Sequence, residues 1–331
     1  MTEGRCLPAP LGYVRMIRIL TTGILAACLA VGLGAAAQQQ PTFRGTADNV
    51  RVFTTVMDRD GRLVTSLEQK DFEIRDEGKP QPITLFDNSP QPIRLIVLLD
   101  VSGSMEGNLQ LLRESTGELF KRLRTDDAIR LGTFGHEVTI SPTFTRDPAE
   151  LRASLPRAIA PDAPTPLWRA VDEGLTIFKT REEDDSRPVI LVLSDGKDSG
   201  PIGFRPKFVS QVEVIDRARE LGVMVYGIGM RSRGRQNMPG LGPGGLKEAL
   251  MADWPDPGLA KTAEETGGGY IELRAGQDLG AAFAQVADEL HGQYLLGFAP
   301  PKRDGKVHEI EVRTSVKGMK PRARKSYVAP K

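Results

Sequence analysis

The 331-residue chain holds only two cysteines, Cys6 and Cys28, both near its N-terminus. If that region is removed, the remainder has no disulfide and no catalytic thiol. Histidine is almost as scarce, with three scattered copies at His136, His291 and His308. A lone histidine is a surface or core residue far more often than a catalytic one, and none of these stands beside a motif. Excess charge is lacking too: 44 Lys+Arg against 43 Asp+Glu leave a formal net charge of +1, which offers no electrostatic footprint for nucleic acid. What remains is ordinary globular composition, 40% hydrophobic and 26% charged, enough for one large domain or two modest ones.

One long uncharged run stands near the N-terminus. Arg15 and Arg18 precede "ILTTGILAACLAVGLGAAA", which ends in Ala35, Ala36 and Ala37. A basic start, an apolar middle and small residues at the end describe an export signal over residues 1–37, cut near Ala37. The mature chain is then periplasmic or extracellular. Two rivals stand beside this reading. "LAAC", Leu25 to Cys28, resembles a lipobox that leaves Cys28 lipidated, and about 20 apolar residues are also enough for an uncleaved span. Contact with a membrane comes only through such an anchor. Residues 1–14 read as upstream sequence before a start at Met16.

From Asn49 to Asn88 the pattern is β: "VRVFTTVMD" alternates, and "DFEIRDEGKPQPITLF" alternates about a tight hairpin at Glu77 and Gly78. Between Pro92 and Gly292 apolar runs such as "IRLIVLLD", "AIRLGTF", "PVILVLSD" and "VMVYGIG" are separated by helical patterns. Buried runs joined by helices predict an α/β fold, a doubly wound and mostly parallel sheet with helices on both faces. The end returns to β with "QYLLGFAP", "KVHEIEVRTSV" and "ARKSYVAP". The expected organisation is a β segment at 49–90, an α/β domain at 92–291 and a second β segment at 292–329. Each flank supplies about three strands, and isolated hairpins are marginal in water. The flanks are therefore expected to pair as one β-sandwich-like module, with the α/β domain inserted between them.

In a doubly wound sheet, binding chemistry gathers past the C-terminal ends of the strands. Asp100 ends one apolar run and is followed by Ser102 and Ser104; Asp195 ends another; Thr165 lies in a loop directly before Pro166. Each has a bland reading as a helix cap or a turn residue. Caps do not explain why all of them fall on the same edge of one sheet. Their donors are all oxygens, a set that suits a hard octahedral cation, Mg²⁺ first, with Mn²⁺ or Ca²⁺ as alternatives.

The stretches "DVSGSM", "TPLW" and "SDGKD", in this order, resemble the metal-ion-dependent adhesion site of von Willebrand factor type A domains. The resemblance implies a Rossmann-like fold and assigns Asp100, Ser102 and Ser104 to the first motif, Thr165 to the second loop and Asp195 to the third. It also implies that the hydroxyls bind the cation directly, the aspartates directly or through water, and that a partner's carboxylate takes the open position. Both aspartates are expected on the rim rather than in the core. The flanking stretches "VTSLEQKDFEIRDEGKPQPITLF" and "YLLGFAPPKRDGKVHEIEVR" resemble a secreted family of related domains described mainly from acidobacteria.

Other residues take quieter readings. Leu167 and Trp168 are expected in the core, and Asp198 is expected to be a solvated loop acid. The Gly- and Pro-rich loop 230–258, with Arg231, Arg233 and Arg235, reads either as a surface loop or as a binding lid. The expected function is a non-catalytic, exported module that captures an acidic group of a protein partner through the cation. A metal-dependent hydrolase or phosphotransferase is the rival, and a scaffold with a purely structural metal is a third reading. "DVSGSM" lacks the second acid of aspartyl phosphotransferases, and neither a G-x-S-x-G elbow nor a phosphate loop occurs.

Overall fold

Every residue from Leu95 to Leu99 is fully buried, so both faces of this strand must be covered. The computed structural model describes residues 49–180, 186–200, 208–231, 255–274 and 277–331. The proposed signal at 1–37, with Cys28, and residues 232–254 of the long loop, with Arg233 and Arg235, lie outside the described residues.

The central strand is β5 (Ile93–Asp100). It pairs in parallel with β6 (Ala128–Phe134) on one side and β8 (Arg187–Ser194) on the other. Beyond β8 lie β9 (Met224–Met230) and β10 (Tyr270–Leu273), both parallel, while β7 (Val138–Ile140) adds an antiparallel edge next to β6. The order is β10-β9-β8-β5-β6-β7. The expected fold class holds, and the antiparallel edge is an addition too short for periodicity to signal.

Side chains of β5 alternate between two cores. Leu95, Val97 and Leu99 meet Leu112, Leu119 and Phe120 of α1 (Leu109–Lys121) and Phe283, Val286 and Leu290 of α6 (Leu279–His291). Ile96 and Leu98 face α3 (Leu167–Lys179), α4 (Gln211–Leu221) and, through Leu259, α5 (Pro257–Thr266). A short helix, α2 (Pro148–Ala153), precedes α3. Local chemistry sets the helix ends. Ser210 and Glu213 form a capping box at the start of α4, and Gly222, at φ 62°, closes it in a left-handed conformation that costs glycine little.

The flanks build two further antiparallel sheets, each from strands of both ends. One has the order β13-β1-β11-β4 and the other β14-β12-β2-β3. Here β1 is Val50–Met57, β2 Phe72–Asp76, β3 Lys79–Gln81 and β4 Leu85–Asp87. From the other end come β11 (Tyr294–Phe298), β12 (Val307–Thr314), β13 (Lys320–Arg322) and β14 (Ser326–Val328). Val52, Leu296 and Tyr294 of one sheet share a single apolar core with Phe72, Ile74 and Ile310 of the other, and the Phe72 and Tyr294 rings lie 4.9 Å apart. The shared core explains the pairing: neither flank alone has a partner face for its apolar residues. The tight hairpin sits where expected, with Glu77 at φ 48° and Gly78 at φ 75°.

Candidate metal site

The chain leaves β5 through α1 to β6 on one side, and leaves β8 through α4 to β9 on the other. The crevice between the C-terminal ends of β5 and β8 is thus the topological switch point of the sheet, where open α/β folds bind ligands. Asp100 is the last residue of β5, and Asp195 follows the last residue of β8.

The five residues converge there. Ser104 Oγ donates to Asp195 Oδ1 at 2.6 Å, and Ser102 Oγ lies 3.1 Å from Ser104 Oγ. Asp100 accepts from Ser102 N at 2.8 Å through Oδ1 and from Ser194 Oγ at 2.5 Å through Oδ2. Thr165 packs against the residue after Asp195: a Cβ built on Gly196 would come 3.1 Å from Thr165 Oγ1. The threonine loop is tied down by Thr165 N donating to Ser199 Oγ at 2.8 Å and Ser199 N donating to Thr165 O at 2.9 Å.

Gly103 explains how loops so far apart in sequence come this close. Its amide donates to Ala163 O at 3.0 Å, and a Cβ there would fall 1.9 Å from Pro161 O, inside the backbone of the threonine loop. Glycine is required because only a missing side chain admits that approach. The two loops then cover the aspartates, which are 0% and 1% exposed. The expectation of rim positions is wrong for this reason: strand-end carboxylates lie under the loops that follow them.

Burial pushes the Asp100 carboxyl up to about 7; hydrogen bonds from Ser102 and Ser194 pull the other way, and the Asp195 carboxylate adds to the rise. Two buried acids beside three hydroxyls form an all-oxygen set, and a hard divalent cation fits it.

Several neighbours went unread in the sequence. Ser194 orients Asp100, and its only signal was a place next to Asp195. Asp198 is not the solvated acid expected: it is half-buried, and its Oδ1 accepts from Trp168 N at 3.3 Å at the start of α3. Its own amide donates to Asp256 Oδ2 at 3.0 Å, which ties the Asp195 loop to the start of α5. Leu167 and Trp168 are in the core as expected, 0% and 6% exposed.

Residues 95–251 match the family model of the von Willebrand factor type A domain, and the chain carries that domain. A solved von Willebrand factor type A protein from Catenulispora acidiphila is 12% identical, with 79% of this chain and 74% of that one covered at a TM-score of 0.47. An aerotolerance-related membrane protein from Bacteroides fragilis is 16% identical over 60% of this chain and 98% of its own, at a TM-score of 0.42. No curated protein matches the chain significantly.

Proposed function

We propose that the chain is an exported, non-catalytic binding module that holds an acidic group of a protein partner through a divalent cation, Mg²⁺ first. Von Willebrand factor type A domains mediate protein–protein interactions, and the acidobacterial branch suggested by the flanks is part of the same proposal. Asp100, Ser102, Ser104, Thr165 and Asp195 are the residues that would hold the ion. The carrying observation is the convergence of two buried carboxylates and three hydroxyls at the switch point of the sheet. Neutral hydroxyls leave a bound cation with residual positive charge, and that charge favours an incoming carboxylate.

The catalytic rival is weaker on geometry. A phosphotransferase on this edge needs Asp100 as nucleophile, yet both of its oxygens already accept hydrogen bonds and the side chain is fully buried. Among the described residues no helix is long and apolar enough to cross a membrane.

The test is a calorimetric titration of the purified chain with Mg²⁺, followed by capture from the native cell envelope in Mg²⁺ and in chelator. The expected result is Mg²⁺ uptake that Thr165→Ala and Ser102→Ala weaken, and a captured protein that chelator releases. Capture that is equal in Mg²⁺ and in chelator refutes the metal bridge and leaves the scaffold reading.

A further inference from the structure

His308, discounted in sequence as a lone histidine, is buried in the flank module with carboxylates on both sides of its ring. Its Nδ1 lies 3.2 Å from Asp76 Oδ1, and its Nε2 lies 3.2 Å from Asp304 Oδ1. The Asp76 and His308 side chains are 1% and 5% exposed. The exposed Glu77 completes the group: one ligand atom from each of Asp76, Glu77 and His308 falls within 4.8 Å of the others.

Two features give this cluster direction. A carboxylate oxygen and a bare imidazole nitrogen both present lone pairs, so a separation of 3.2 Å requires a proton or a cation between them. Two ligands held at about 2.1 Å from one ion lie about 3.0 to 3.4 Å apart for octahedral to tetrahedral angles, and the 3.2 Å between His308 Nδ1 and Asp76 Oδ1 falls in that range. The surroundings also match those of a ligating histidine, whose second nitrogen commonly donates to a carboxylate; Asp304 occupies that place. Tyr327 donates to Asp76 Oδ1 at 3.4 Å and orients it. Glu77 is held by the left-handed turn and by Glu309 N, which donates to its Oε1 at 2.8 Å.

We propose that Asp76, Glu77 and His308 form a cation site for a borderline divalent ion of the Zn²⁺ class, separate from the all-oxygen site at Asp100. An imidazole nitrogen in the set favours such ions over Mg²⁺. The site ties the β2–β3 turn to the start of β12, joining residues from both flanks.

The test uses the full chain and Zn²⁺ alone, with a chelating dye as competitor and proton–carbon spectra of the histidine rings. The expected result is a shift of the His308 ring signal with Zn²⁺ and none with Mg²⁺. Glu77→Gln, at an exposed position that leaves the core untouched, weakens Zn²⁺ binding at least about 10-fold, and Asp304→Asn does so by about 10-fold. His308→Gln removes this binding. Zn²⁺ taken up by Cys6 or Cys28 is insensitive to these changes and is thereby told apart. A His308 signal unmoved at saturating Zn²⁺ overturns the proposal and shows a proton bridging the two side chains; so does Glu77→Gln binding Zn²⁺ as tightly as the wild type.

Discussion

Ser104 and Asp195 are 91 residues apart in the chain, yet the serine hydroxyl donates to the carboxylate at 2.6 Å. This bond joins the loop after β5 to the residue that follows β8. On the proposed entry of a cation, the hydroxyl proton turns away and the serine presents a lone pair instead. Ser104→Ala is therefore expected to cost about 1 kcal/mol in chelator, the net value of one hydrogen bond. It should lose most of the Mg²⁺-dependent rise in melting temperature, and thermal unfolding with and without Mg²⁺ reads both.

Two substitutions of Asp100 separate the structural role of its carboxylate from the proposed binding role. Asp100→Ala strips the acceptor from Ser102 N and Ser194 Oγ in a fully buried place, and a cost of about 2 to 4 kcal/mol is expected. Asp100→Asn keeps the shape and an acceptor and removes the repulsion from Asp195. It should fold at least as stably as the wild type in chelator while losing Mg²⁺ binding, a contrast that urea denaturation and calorimetry can check. Equal losses in the two variants speak against this account.

Gly103→Ala places a Cβ against Pro161 O, at 1.9 Å before relaxation. Because the neighbour is backbone, the threonine loop has to move as a whole. A destabilisation of about 2 kcal/mol or more is expected, with weakened Mg²⁺ uptake because Thr165 shifts with its loop. Gly107→Ala, on the same turn with open space at its Cβ, is the matched control and should change neither quantity.

The join between the flank module and the α/β domain includes a buried polar cluster. Arg187, at the start of β8, donates to Gln293 Oε1 and Leu290 O, while Gln293 Nε2 donates to Thr55 Oγ1 at 2.8 Å and Tyr226 OH at 3.1 Å. Gln293→Ala leaves a buried guanidinium short of an acceptor. A loss of about 2 to 4 kcal/mol is expected in chemical denaturation, and Gln293→Glu, which keeps an acceptor for Arg187, should lose less.

Acid stability should depend on Asp127. Burial pushes its carboxyl up, but His291, Arg124 N and Ile93 N donate to it and together hold it below its usual 3.8. A carboxyl lowered on folding contributes stability that is fully present above the unfolded value and is lost as pH falls through the folded one. Unfolding measured from pH 6 to pH 2 should show Asp127→Asn less stable than the wild type above about pH 4, with the difference shrinking at lower pH. A constant difference across the range contradicts the sign.

Much of the molecule is legible in the sequence. Apolar runs separated by helical patterns are local signals, set by side-chain period, and they placed β5, β6, β8 and β9 and the helices between them. The spacing Asp100, Ser102, Ser104 was readable because consecutive loop residues after a strand share one edge of the sheet. Even the pairing of the flanks followed from a local argument, since each had too few strands to bury its own apolar face. The tertiary structure alone decided how deep the oxygens lie. Whether Asp100 and Asp195 sit on a rim or under a lid depends on Gly103 meeting Pro161, a contact between segments with no shared pattern. The same limit hid His308 and Asp76, 232 residues apart: spacing in sequence carries no information about which side chains a β-sandwich brings face to face, because register and sheet order are set by the whole core rather than by either strand.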